Sequence, residues 1–404
     1  MTRVSALSVE AALERILDGV TPLEAEPVDL LAAAGRVLAA DLAARLTQPP
    51  FDASAMDGYA VRAADVATLP ATLRLIGESA AGHAFTGTVH AGEAARIFTG
   101  APLPAGADAI VIQENVEADG SLIRVVDGAP DAEHVRRRGG DFRKGDTPLS
   151  AGKRLTARDI TLAAAMGHAA LPVRRRPRVA ILATGDELVA PGETPRADQI
   201  ISSNPYGLAA MIAAAGGEPK LLGIARDTHE SLAEKIALAH DADILLTIGG
   251  ASVGDHDLVV PALERAGMSL GFWKIAMRPG KPLIFGRRGE QRIVGLPGNP
   301  VSSLICTRVF VVPLIAKLLD DGAPASRART AALSVALPAN GPRAHYMRGR
   351  RGHGDDGAAT VAPVSSQDSS LLTPLAAADC LIVRPPHALA LAPGSAVTTL
   401  DLDF

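Results

Sequence analysis

Apolar positions recur along this chain with different periods in different stretches. After Ser8, a natural N-cap, Val9, Leu13, Ile16 and Leu17 fall three or four residues apart, which predicts an amphipathic helix. Helical spacing returns around 30–37 and through 157–166. Between these, from about 47 to 141, short β-prone runs at 73–76, 94–98, 109–113 and 122–126 are broken by Gly and Pro, the rhythm of a small β-rich domain. From 177 onward strand and helix alternate. The run RVAILA at 178–183 is continuously apolar, as in a parallel strand covered on both faces. A helix capped by Asn204, with Pro205 at its first position, carries Leu208, Met211, Ile212 and Ala215 on one face and stops at Gly216 and Gly217. Residues 220–224 read as the next strand. Asp227 and Glu230 resemble a capping box for a helix with Leu232 and Ile236, and DILLTI at 243–248 is a third strand. This β-α-β-α-β series predicts a doubly wound α/β sheet. Past 323 the chain returns to short strands at 332–337, 381–383 and 396–400. The expected organisation is α/β and multidomain. A discontinuous helical domain (1–46 and 142–176) carries an inserted β-rich domain (47–141). An α/β domain (177–322) and a C-terminal β domain (323–404) follow.

Composition narrows the function classes. The 404 residues carry a formal net charge of −4, without the Lys/Arg excess that nucleic acid or an anionic membrane demands. No apolar stretch runs uninterrupted for about 18 residues, so no transmembrane span is expected, and the N-terminal pattern is that of an ordinary helix, not a signal peptide. Cys306 and Cys380 are far apart, and the ten histidines show no zinc-ligand spacing. A cytoplasmic protein in a reducing compartment is the expectation.

Candidate chemistry gathers behind the strands, where open α/β sheets bind ligands. Thr184-Gly185-Asp186-Glu187 follows the first strand, Arg226-Asp227 the second, and Gly249-Gly250-Ala251-Ser252-Val253-Gly254-Asp255-His256-Asp257 the third. Glycine turns let backbone N–H groups approach phosphate, and carboxylates can hold the Mg²⁺ that neutralises it. Capping and turn duty alone would account for any one of these elements, but three at equivalent places point to a site. Further on, Lys274, Arg278 and Lys281 supply positive charge. Pro297-Gly298-Asn299-Pro300-Val301-Ser302 opens a long apolar helix whose first-turn N–H groups could face an oxyanion. No G-x-x-x-x-G-K-[ST] loop is present, which argues against a kinase-like enzyme.

The strings SAMDGYA, FTGAPLPAGAD, ATGDELV, SSNPYGL, GGASVGDHD, PGKPLIFG and GLPGNPVSS occur in this order. In them the chain resembles, over nearly its whole length, the MoeA family of molybdopterin molybdenumtransferases, which includes a domain of gephyrin. The resemblance implies an elongated homodimer whose α/β domain is like the MogA-type adenylyltransferases, with a cleft built from two subunits. It implies insertion of molybdenum from molybdate into adenylated molybdopterin, with Mg²⁺-dependent release of AMP, and transient contact with a molybdopterin adenylyltransferase. By the same resemblance Asp186, Glu187, Asp227 and Asp257 would surround the pyrophosphate and its metal. Gly185, Gly249, Gly250, Ser252 and Gly254, already placed behind the strands by position, would form the phosphate turns. Asp57, Thr99 and Asp141 would act from the β-domain side. Lys274, Arg278, Lys281, Pro297, Pro300, Ser302, Arg348 and Ser369 would hold molybdate or a terminal phosphate, with Arg343 or Arg350 as the alternative to Arg348. The chain departs from the common family pattern at Ala53 and Arg278. Two rival readings are an adenylyltransferase that consumes ATP and a non-catalytic scaffold that binds without turnover.

Overall fold

A computed structural model describes residues 6–128, 131–250, 258–322, 328–354 and 357–402. At its centre is a six-stranded sheet in the order Glu218–Ala225, Arg178–Thr184, Ile244–Ile248, Gln291–Leu296, Pro282–Arg288, Ser269–Lys274. The first four strands are parallel, and the last two add an antiparallel edge. Alternate side chains enter opposite cores, because a strand turns successive residues to opposite faces. Val179 and Ile181 join the larger core under the long helical run Pro300–Leu319. Ala180 and Leu182 pack beneath the helices His229–Ala237 and Val259–Arg265.

The run Pro300–Leu319 is long and apolar enough to cross a membrane, but 67% of its most apolar window is buried, with Phe310 and Ile315 wholly enclosed. It is the core helix of the α/β unit. It passes through a π-helical turn at Thr307–Val311 just before Pro313, which lacks the N–H that a continuous α-helix would need there.

The N-terminal helix Val9–Leu17 is capped as expected, Ser8 Oγ accepting from the Ala11 N–H at 3.1 Å. Its buried Val9, Ala12 and Ile16 belong to the core of the central sheet. The next segment is less helical than its periodicity predicts: only Leu30–Ala33 is helix. The flanking strand Ala25–Asp29 pairs antiparallel with Ala170–Arg174, joining this segment to the helix Ala157–Ala165 around Leu38, Phe142 and Leu171. Between them a second six-stranded sheet runs Ala109–Ile112, Gly58–Val61, Glu93–Ile97, Ala71–Ser79, Leu122–Val125, Val116–Asp119.

In the tail, strands Ala344–His353, Ala359–Pro363, Ala328–Leu333, Ala396–Asp401 and Cys380–Arg384 follow one another around a ring that closes by pairing of the last with the first. The two-residue strand Met277–Arg278 attaches to this ring, Arg278 in register with His345, so the central unit and the tail share a seam.

Two helix starts differ from expectation. Ser203, not Asn204, precedes the helix Asn204–Ala214, and the Asn204 side chain instead donates to the Gly298 carbonyl at 2.7 Å. The helix His229–Ala237 is capped by Thr228, whose side chain accepts from the Ser231 N–H, which leaves Asp227 outside the helix.

Candidate active site

At the carboxyl ends of the parallel strands lies a cavity of about 620 Å³, with Gly249 and Gly250 behind the third strand on one wall and Arg278 and Lys281 on another. Pro297 and Ser302 line it from the helix start, and Arg343 and Ser369 from the tail. Two glycines make the close approaches possible. A Cβ on Gly249 (φ +95°) would stand 2.7 Å from the Thr184 carbonyl oxygen, and one on Gly280 (φ +109°) would stand 2.5 Å from Cys306 Sγ. Among the described residues the charge is one-sided: Arg278, Lys281 and Arg343 oppose Asp368, whose carboxylate already accepts from the Ser370 N–H and hydroxyl and is held below its ordinary range chiefly by those bonds. A cavity with three cations and one satisfied carboxylate suits an oxyanion. Behind the seam, His345 is buried. Desolvation, then the charges of Arg278, Arg343 and Arg384, push its pKa down to about 4, so it stays neutral beside the basic cluster.

A second cavity, about 410 Å³, abuts the first and shares Gly249, Gly298 and Asn299 with it. Glu187 and Pro300 line it. Beside it the first two strand ends are tied together, the Asp227 N–H donating to Asp186 Oδ1 at 3.2 Å. Among the described residues no three His, Cys, Asp or Glu side chains converge on a metal-sized site. Ser252, Gly254, Asp255 and Asp257 lie outside the described residues.

The helix start serves the fold as well as a ligand. Pro300 has no N–H, and the Val301 N–H donates to the Ser369 carbonyl at 3.1 Å, so a tail loop occupies a donor expected to face an anion. Asn299 precedes the helix without a side-chain cap; its amide donates instead to Ser369 Oγ at 2.9 Å.

Three models of known families match consecutive parts of the chain. They are the MoeA N-terminal region (domain I and II) at 7–167, a probable molybdopterin binding domain at 180–317, and the MoeA C-terminal region (domain IV) at 330–402. A molybdopterin molybdenumtransferase of Haemophilus influenzae is 36% identical, over 93% of this chain and 94% of its own. One from a Nostoc species is 41% identical over 73% of this chain and 70% of its own. The crystal structure of a molybdopterin biosynthesis MoeA protein from Pyrococcus horikoshii superposes with a TM-score of 0.86, at 31% identity, covering 99% of this chain and all of that one. The chain belongs to the MoeA family.

Within this MoeA chain the residues expected to act are not all in one place. Gly249, Gly250, Arg278, Lys281, Pro297, Ser302 and Ser369 meet in the basic cavity, and Glu187 and Pro300 in its neighbour. Lys274 lines neither; its Nζ lies 4.2 Å from the centre of the Trp273 ring. Arg348 is 1% exposed, and its guanidinium donates to the carbonyls of Leu371 and Asp368 at 3.0 and 2.9 Å. It braces the loop that carries Ser369, while Arg343 is the tail arginine on the cavity wall. Asp57, Thr99 and Asp141 line neither cavity. Asp57 Oδ1 accepts from the Thr99 N–H and hydroxyl at 2.8 and 2.9 Å, and those bonds lower its pKa. Of the tail arginines left open by the sequence, Arg343 is the one that lines the cavity. Asn299 and Gln367 were missed as site residues, and of these Asn299 carried a signal, its place ahead of Pro300.

Proposed function

We propose that the chain catalyses transfer of molybdenum from molybdate to adenylated molybdopterin, with cleavage of the phosphoanhydride by water and release of AMP. Membership of the MoeA family supports a transferase acting on molybdopterin. The observation that carries the reading is the pair of abutting cavities, one basic and one with a carboxylate, sharing a wall of backbone. Molybdate is a tetrahedral oxyanion, and Arg278, Lys281, Arg343 and the Ser302 hydroxyl would hold it there by charge-assisted hydrogen bonds. Placing it beside the phosphoanhydride turns a bimolecular encounter into a local one.

Asp186, Glu187 and Asp227 offer the hard oxygen donors that Mg²⁺ takes one or two at a time, completing its shell with water and substrate phosphates. Bound Mg²⁺ would offset the charge of the phosphoanhydride. The chain's own part is to present those carboxylates and to hold the oxyanion. The protein is further read as a homodimer in which Asp57, Thr99 and Asp141 reach the partner's cavities, since they line neither cavity of their own chain. Two buried cysteines without a disulfide fit a reducing, cytoplasmic setting, and the adenylated substrate calls for a transient encounter with an adenylyltransferase.

The decisive assay is AMP release from adenylated molybdopterin with Mg²⁺ present and molybdate added or withheld. Molybdate-stimulated release with formation of active cofactor is expected. Tight binding without turnover under every condition would favour the scaffold reading instead.

A further inference from the structure

We propose that Arg226 is the positioning residue of the Asp186–Glu187 turn. The proposal rests on the metal-and-phosphate reading of that turn and names the group that holds its carboxylates in place. Arg226 follows the strand Glu218–Ala225, the neighbour of Arg178–Thr184 in the central sheet. Its Nη1 donates to the carbonyls of Asp186 and Leu188, both at 3.1 Å, and more weakly to that of Gly185 at 3.5 Å. The remaining carbonyl of the turn, that of Glu187, accepts from the Ile200 N–H at 2.8 Å. All four carbonyls from Gly185 to Leu188 therefore have donors, and one guanidinium serves three of them.

A turn at the end of a strand has left its sheet partners, and its carbonyls need other donors to keep one conformation. Arg226 supplies them with charge-assisted bonds. With each backbone oxygen already accepting a hydrogen bond, and three of them facing the Arg226 charge, the oxygens the turn best offers a cation are those of the Asp186 and Glu187 carboxylates. Arg226 is itself anchored, its backbone N–H donating to Ser231 Oγ at 3.0 Å, and the adjoining Asp227 N–H donates to Asp186 Oδ1. All three bonds leave one nitrogen, so a lysine keeps the charge and the donors but on a shorter side chain, and it should restore only part of the effect.

The test compares wild type, Arg226→Gln, Arg226→Lys and, as a control on the metal reading, Asp186→Asn, all as full chains. Amide hydrogen exchange of the peptide covering 184–190 in the ligand-free protein reads positioning without any metal. Arg226→Gln is expected to speed it about tenfold and Arg226→Lys less. The half-saturating Mg²⁺ concentration for AMP release is expected to rise about tenfold in Arg226→Gln, as when a group orienting a metal ligand is lost, with the molybdate requirement unchanged. Unchanged exchange in Arg226→Gln overturns the proposal, whatever happens to activity. Faster exchange with the Mg²⁺ and molybdate requirements both unmoved reduces Arg226 to a local strut and overturns its functional role. An Asp186→Asn protein with wild-type Mg²⁺ dependence would remove Asp186 from the metal reading, while the exchange result still decides whether Arg226 holds the turn.

Discussion

The basic cavity and the Asp57–Thr99 pair are both built from motif residues, yet they are finished to different degrees. The described walls of the cavity all belong to one chain. Its walls come from the central sheet, the start of the core helix and the tail, and they are tied together by Asn299, Val301 and buried Arg348. Asp57 and Thr99 satisfy each other on an exposed surface and line neither cavity. A basic pocket with no such bracing would splay apart, because like charges repel. An exposed pair needs no bracing and can be inert to folding while it waits for something brought to it. Folding and function should therefore separate cleanly between the two regions.

The largest effect expected is on the bracing. Arg348→Ala empties a buried side-chain site and takes the guanidinium donor from two carbonyls of the tail loop, and should cost roughly 3 kcal/mol, read as a lowered denaturation midpoint at constant slope. A loss below about 1 kcal/mol would mean that the tail loop holds itself. His345 comes next. Its pKa is pushed down from 6.5 to about 4, so the unfolded chain binds the proton first as pH falls. Stability from this group is present above about pH 6.5, is lost progressively between about 6.5 and 4, and amounts to about 3 kcal/mol. In His345→Gln that part of the stability–pH curve should flatten; an unchanged slope would mean that burial and the nearby arginines do not hold the imidazole below its ordinary range.

Lys281→Ala should raise the molybdate concentration for half-maximal AMP release about thirtyfold, near 2 kcal/mol, while binding of the adenylated pterin changes little. Equal losses on both ligands would merge the two cavities into one undivided site. The smallest effect on folding is expected for Asp57→Asn, which should melt like wild type and yet lose turnover. Mixing Asp57→Asn with Lys281→Ala subunits sharpens the contrast. If the pair acts across a dimer, mixed dimers recover activity at molybdate concentrations too low for Lys281→Ala, where neither variant turns over alone. Failure to recover it in verified mixed dimers would place Asp57 in its own chain's reaction.

Much of the central sheet was legible in the sequence because burial on both faces forces continuous apolar runs. The runs at 178–183 and 243–248 became the strands Arg178–Thr184 and Ile244–Ile248. The strand Ala344–His353 was missed. Its first residues are buried while Arg350 and His353 are exposed, and its three arginines look like surface charge in one dimension. The capping expectation at Asp227 failed for a related reason. Asp227 and Thr228 are both good caps, and only the path of the chain into the helix selects Thr228.

By itself the sequence determined the α/β class, the family and the identity of the basic and acidic strings, since each follows from local pattern or from residue order. Tertiary structure alone decided that the helix Val9–Leu17 packs on the central core and that the Val301 N–H is taken by the Ser369 carbonyl. It also decided that Arg343 faces the cavity while Arg348 is buried behind it. These outcomes depend on pairings between segments far apart in the chain, such as Arg278 with His345. A local pattern records which residues must be buried, but not which distant partner will bury them.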